Sequence, residues 1–192
     1  MQSTIDVLRS VIRSRRSIFQ GSYTTDEIPV EVIREILDSA NYAPTHKLTE
    51  PWRFVVFRNM GKLRLGVELA RLYKENTPPG KYLQKKFDSI LHKVKQSNCI
   101  IAINVQLHPE KIPEFEEIAA VAAAVQNMWL TATALKVGCY WSTPEMIHSL
   151  GPFLELGENE KCIGLFYMGY HHEFPTEARR SSIEEKVRWV EK

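Results

Sequence analysis

Residues 113–142 read Pro-Glu-Phe-Glu-Glu-Ile-Ala-Ala-Val-Ala-Ala-Ala-Val-Gln-Asn-Met-Trp-Leu-Thr-Ala-Thr-Ala-Leu-Lys-Val-Gly-Cys-Tyr-Trp-Ser. The alanine-rich run from Pro113 to Val137 predicts a single helix of about 25 residues, roughly 37 Å long at 1.5 Å per residue. Apolar residues cover most of its circumference (Ala119–Val125, then Met128, Trp129 and Leu130), so it must be buried almost all round. Gly138 is expected to cap it, and Cys139–Trp141 to follow as a short strand. A helix this long and apolar is hard to cover within 192 residues. A subunit interface is the expected cover, giving a homodimer in which the tail's Trp189 reaches the partner. The alternative is that one chain covers the helix alone.

Outward from this helix, apolar strands and amphipathic helices alternate. Cys99–Leu107 and Lys161–Gly169 are nearly continuous apolar runs and read as strands inside a sheet. Trp52–Phe57, rich in β-branched and aromatic residues, reads as another strand. Ile5, Leu8, Val11 and Ile12 place a helix over 3–14. A second helix is signalled by Thr25, Asp26 and Pro29, has Ile33, Ile36, Leu37 and Ala40 on its buried stripe, and ends at Pro44. Residues 60–73, 81–96 and 144–150 read as further helices, with Thr77-Pro78-Pro79-Gly80 breaking the first from the second. The expected class is α+β, a three-layer α/β/α sandwich with a mixed sheet. No repeat or linker divides the chain, so 1–192 is expected to be one domain, with the tail (171–192) embracing the partner.

Composition narrows the function. At 44% hydrophobic and 25% charged, the chain is an ordinary globular one, with no long uncharged apolar run for a membrane span. A net charge of +2 is too balanced for a dedicated nucleic-acid binder. Cys99, Cys139 and Cys162 are isolated and odd in number, which suits buried thiols in a reducing cytoplasm. His171 and His172 are adjacent and the other histidines scattered, a poor set for a metal.

Four segments carry polar chemistry, and each also has a plain structural reading. Arg15-Arg16-Ser17 ends the first helix; two guanidiniums and a hydroxyl suit a phosphate, although a helix C-terminus attracts cations for its own sake. In Asn41–Phe54, two prolines pin a loop bearing His46 and Lys47, which is a ligand loop or a simple crossover. Gly138-Cys139-Tyr140-Trp141-Ser142-Thr143-Pro144 puts aromatic and then small hydroxyl residues at a strand end, which suits the edge of a planar ligand or, through Ser142 or Thr143 before Pro144, a helix N-cap. Arg179-Arg180 precede Ser182 and Glu185, which together form a capping box.

Together, in this order, the four segments resemble the nitroreductase family of FMN-dependent oxidoreductases, and its short members in particular. Arg15, Arg16 and Ser17 match the family's triplet for the FMN phosphate and ribityl chain. Ala43, Pro44, Thr45, Pro51 and Trp52 match its Ala-Pro-Ser…Pro-Trp loop, with His46-Lys47 inside as in short members. The alanine-rich helix and Val-Gly-Cys-Tyr-Trp-Ser resemble the family's central dimer helix and the turn over the isoalloxazine ring. Arg180 best matches the basic residue that completes the phosphate site, with Arg179 the runner-up. Leu48 and Glu50 depart from the family's usual Asn and Gln, and Tyr42 stands where some short members place an Arg beside the flavin.

The resemblance therefore implies cofactor contacts from Arg15, Arg16, Ser17, Tyr42, His46, Lys47, Trp141, Ser142, Thr143 and Arg180. It assigns no catalytic side chain, because the hydride chemistry belongs to the flavin. The expected activity is ping-pong transfer of hydride from NAD(P)H to a small-molecule acceptor such as a nitroarene or quinone. A flavin-binding protein without turnover, a redox sensor or flavin store, is the alternative from a different class.

Overall fold

The computed structural model describes residues 3–173, 176 and 178–191. Four strands form one sheet: β1 (Trp52–Phe57), β2 (Cys99–Gln106), β3 (Val137–Ser142) and β4 (Glu160–Tyr170), in the order β1-β2-β4-β3. The central pair, β2 and β4, are the two continuous apolar runs, as expected for strands covered on both faces. Side chains alternate across the sheet along β2. Cys99, Ile101, Ile103 and Val105 enter one core with Phe166 and Met168, while Ile100 and Ala102 enter the other with Leu165 and Tyr167.

Helices α2 (Val30–Ala40) and α5 (Glu114–Ala134) cover the first face. The second is covered by α3 (Asn59–Asn76), α4 (Gln84–Gln96), a 3-10 turn (Glu145–Ser149) and α6 (Gly151–Leu154). This is the expected three-layer α+β sandwich. The sheet is not the mixed one expected: among the described residues all strand pairings are antiparallel, and the parallel link is an isolated bridge from Ser17 to Cys139 on β3.

Three sequence readings shift at helix ends. Helix α2 starts at Val30 with Pro29 outside as its N-cap, not from Thr25 and Asp26, because a proline disfavours the α conformation in the residue before it, here Ile28. The turn after Pro144 likewise has no side-chain cap from Ser142 or Thr143. Helix α5 has 21 residues, shorter than expected, because Leu135 leaves it and Lys136 turns left-handed at φ 60°. Gly138 is therefore not the cap. It lies in β3, where a Cβ would come within 2.7 Å of His171 Cδ2 and 2.9 Å of Ile18 Cγ2, so close packing is what demands glycine.

Helix α5 buries Val121, Ala124, Val125 and Met128 against the sheet. Its outer stripe, including Phe115, Ile118, Ala119 and Ala122, stays open to solvent within the chain. Helix α1 (Thr4–Ser14) has no buried residue at all, with Ile5, Leu8 and Ile12 each about half exposed. In the tail, Trp189 and Val190 are more than 70% exposed. The described residues of one chain do not cover these apolar surfaces. The three carboxylates in the first turn of α5 each hold another segment: Glu114 pairs with Lys161 at 2.9 Å, Glu116 with His46 at 2.5 Å and Glu117 with His108 at 2.7 Å. Carboxylates suit that position, where the helix dipole is positive.

Candidate functional site

The chain leaves α1 at Arg15, whose extended backbone carries it to the edge of β3, where Ile18 N donates to Cys139 O at 3.0 Å. The Arg15-Arg16-Ser17 triplet thus lies between a helix end and a strand edge. It opens onto a cavity of about 1240 Å³ lined also by Arg13, Trp129 and Arg180. No carboxylate is among the described residues that line it. Burial, followed by the neighbouring Arg16 and Arg180 guanidiniums, pushes the pKa of Arg15 down, yet an arginine stays charged. Like charges held together without an acid are a standing demand for an anion.

The helix-end objection is met by the local bonding. Arg15 N donates to Val11 O at 3.1 Å, and the Arg16 guanidinium donates to Arg15 O at 2.6 Å. The carbonyl end of α1 therefore has its own donors, while Arg16 Nε donates to Thr176 O at 2.7 Å and ties the tail to the triplet.

Trp129 is the residue that the sequence reading missed. Its ring lies 4.6 Å under the Arg15 guanidinium carbon, its Nε1 donates to Arg16 O at 3.3 Å, and it meets Phe166 edge-on at 5.5 Å. Stacking engages the face of a guanidinium and leaves the N–H donors around its edge free for oxyanion oxygens. Trp129 is therefore a platform joining the apolar core to the arginine cluster. Within an alanine-rich helix it carries no local signal to separate it from core.

Of the ten residues singled out from sequence, the cavity gathers Arg15, Arg16, Ser17 and Arg180. Arg179 does not line it, which favours Arg180 between the two. The others lie elsewhere in the chain. His46 bonds Glu116, and Lys47 Nζ donates to Lys111 O at 2.7 Å. Their loop is strained, with Lys47, Leu48 and Glu50 at φ 49°, 53° and 42°, a region costly for side chains with a Cβ. Tyr42 is 79% exposed. Trp141 and Ser142 are half-buried at the end of β3; the Trp141 Nε1 is enclosed without a partner among the described residues, against Gly164, where a Cβ would collide with the indole. Thr143 lines a separate cavity of about 770 Å³ with Glu114, Ile147 and His148. Glu116 and Trp129 are thirteen positions apart on α5, so the His46 loop and the arginine cluster sit about 20 Å apart along the helix.

The sequence profile of the nitroreductase family matches residues 12–170. The chain belongs to the nitroreductase family. A protein of Bacillus subtilis provisionally named NAD(P)H nitroreductase YfhC is 28% identical over 183 residues, covering 94% of this chain and 92% of its own. A nitroreductase-like family protein from Bacillus cereus has the same fold, with a TM-score of 0.84 at 23% identity and full coverage of both chains. A provisionally assigned nitroreductase from Desulfovibrio desulfuricans, solved in complex with FMN, has a TM-score of 0.70 at 25% identity, again over 100% of each chain. Among the described residues of this nitroreductase-family chain, no group of three His, Cys, Asp or Glu could hold a metal ion. Among the described residues no helix is long and apolar enough to cross a membrane.

Proposed function

We propose that the protein is an FMN-dependent oxidoreductase that takes hydride from NAD(P)H and reduces a second substrate, a nitroarene or quinone, by a ping-pong mechanism. The observation that carries this reading is the convergence of Arg15, Arg16 and Arg180 with Ser17 on a cavity whose described lining has no carboxylate. The donor set fits the cofactor: a phosphate dianion matches guanidinium edges, and the cavity, about 1240 Å³, has room for a mononucleotide and more. The FMN-bound relative and the name of the Bacillus subtilis relative point the same way.

Each residue then has a role. Arg15, fixed on Trp129, and Arg180 bind the phosphate, and Ser17 donates its hydroxyl to the phosphate or the adjoining chain. Arg16 holds the tail through Thr176 O and so keeps Arg180 over the site. When bound, FMN supplies the hydride chemistry. His46 and Lys47 are cationic or hydrogen-bond donors that would stabilise negative charge on the reduced ring. In one chain they are about 20 Å from the arginine cluster, so the reading requires a homodimer. With a two-fold axis crossing the middle of α5, the loop end of one copy meets the arginine end of the other. The uncovered apolar faces of α1, α5 and the tail support this arrangement, with 171–192 embracing the partner and 1–192 acting as one domain. The three buried free cysteines suit a reducing cytoplasm.

The test is reconstitution. Purified protein with about one FMN per subunit should oxidise NADH or NADPH, slowly alone and faster with a quinone or nitroarene. FMN binding without any acceptor-dependent oxidation would overturn the enzymatic reading.

A further inference from the structure

Behind Arg16 lies a second cavity, of about 430 Å³, that shares Ser14 and Arg16 with the first and is otherwise lined by groups that the proposed FMN site does not use. Lys136, His171 and His172 line it with Arg16, against one carboxylate, Glu173. That carboxylate is engaged by the Ser22 hydroxyl. Two features show a built wall. The backbone of His171 is bridged to Tyr23 and its ring packs on Gly138, and its Nδ1 is enclosed with no hydrogen-bond partner among the described residues. Lys136 is held left-handed at φ 60° immediately after α5, at the helix-end position where glycine has no steric cost. A strained lysine in place of glycine, at the rim of a cavity, is strain retained for its side chain.

We infer that this cavity is a phosphomonoester subsite that takes the 2′-phosphate of NADPH and makes NADPH the preferred donor over NADH. The inference rests on the proposed function for the donor's identity. A donor laid with its nicotinamide on the flavin ring and its length along the cofactor would carry its far end past the FMN phosphate, toward this cavity. Arg16, the wall common to both cavities, keeps its guanidinium on Arg15 O and Thr176 O, so the charge for this phosphate comes from its neighbours in the second cavity. Lys136 supplies a point charge, and His171 and His172 supply ring N–H donors.

The test pairs the wild type with Lys136→Gly and His172→Gln. Calorimetric titration uses adenosine 2′-monophosphate, adenosine and inorganic phosphate as probes, and needs no flavin. Wild type should bind adenosine 2′-monophosphate at least tenfold more tightly than adenosine. Lys136→Gly should lose about tenfold of that affinity, while its Tm rises by about 2–4 °C because the left-handed strain is relieved. A merely structural lysine would not give those opposite signs. With FMN bound, the ratio of kcat/KM for NADPH over NADH should fall by about tenfold in both variants. Equal binding of adenosine and its 2′-phosphate overturns the subsite. Inorganic phosphate binding as tightly as the nucleotide, with a donor ratio unmoved by the variants, makes it a free-phosphate site and overturns the donor assignment. Failure to bind FMN strikes the proposed function instead, and leaves the calorimetric result to decide the subsite.

Discussion

Replacing Trp129 by leucine tests the platform on which the cofactor reading depends. The indole contributes a face to Arg15 at 4.6 Å and an N–H to Arg16 O at 3.3 Å. A half-desolvated cation–π contact is worth about 1–2 kcal/mol, and a neutral hydrogen bond to a carbonyl about 1 kcal/mol. Leucine removes both, so up to roughly 2–3 kcal/mol of the ordering of the arginine pair is lost. Arg15 keeps its charge and some of its contact with the phosphate, so the expected loss of FMN affinity is about 10–100-fold. Phenylalanine keeps an aromatic face and loses only the N–H, for a loss of about fivefold. The assay is the Kd from quenching of flavin fluorescence on titration into apoprotein, with Tm recorded for each variant to separate affinity from stability. A folded Trp129→Leu protein that binds FMN within twofold of wild type would refute the reasoning.

Three further outcomes follow from the same structure. Arg16→Ala should cut FMN affinity by at least tenfold while the dimer persists in sedimentation, because the α5 and α1 faces still pair when the tie to Thr176 is lost. Glu117→Ala should lower stability by about 2–4 kcal/mol in urea melts, since a fully buried carboxylate accepts from both the His108 backbone N and its Nδ1. Stability should fall as pH climbs above about 9. Burial raises the Cys99 thiol from 9.0 to about 12 and also raises Cys139, Cys162, Tyr140 and Tyr167. The unfolded chain then releases protons that the folded chain retains, so these groups favour the fold fully below the unfolded values and lose that contribution as pH rises toward the folded ones. Cys99 alone contributes about 1.4 kcal/mol of this loss by pH 10, readable in urea melts between pH 8 and 10.

The sheet was legible because its central strands are unbroken apolar runs that match no helical period, and the amphipathic helices because their stripes are strong. Helix ends were less so. Lys136 adopts a left-handed turn that its residue type disfavours, and Gly138, two residues on, offered the conventional cap and drew the boundary past its place. At the site, Arg15, Arg16, Ser17 and Arg180 could be grouped only through the resemblance to the nitroreductase family, because each segment alone also reads as a helix end or a cap. Trp129 could not, since what distinguishes it from a core residue is the arginine that folding lays over it. The separation of His46 and Lys47 from the arginine cluster was equally invisible. It is set by which end of α5 each loop packs against, and that is a tertiary fact. The motif residues look like one group in sequence order, while one chain holds the His46 loop and the arginine cluster toward opposite ends of α5.

The most direct test of the account is the visible absorption spectrum of the purified protein, with heat release to identify and count any chromophore. The account predicts a flavin spectrum and FMN released at about one per subunit. A colourless protein that also fails to take up added FMN would contradict it, and the arginine cavity would then serve some other anion.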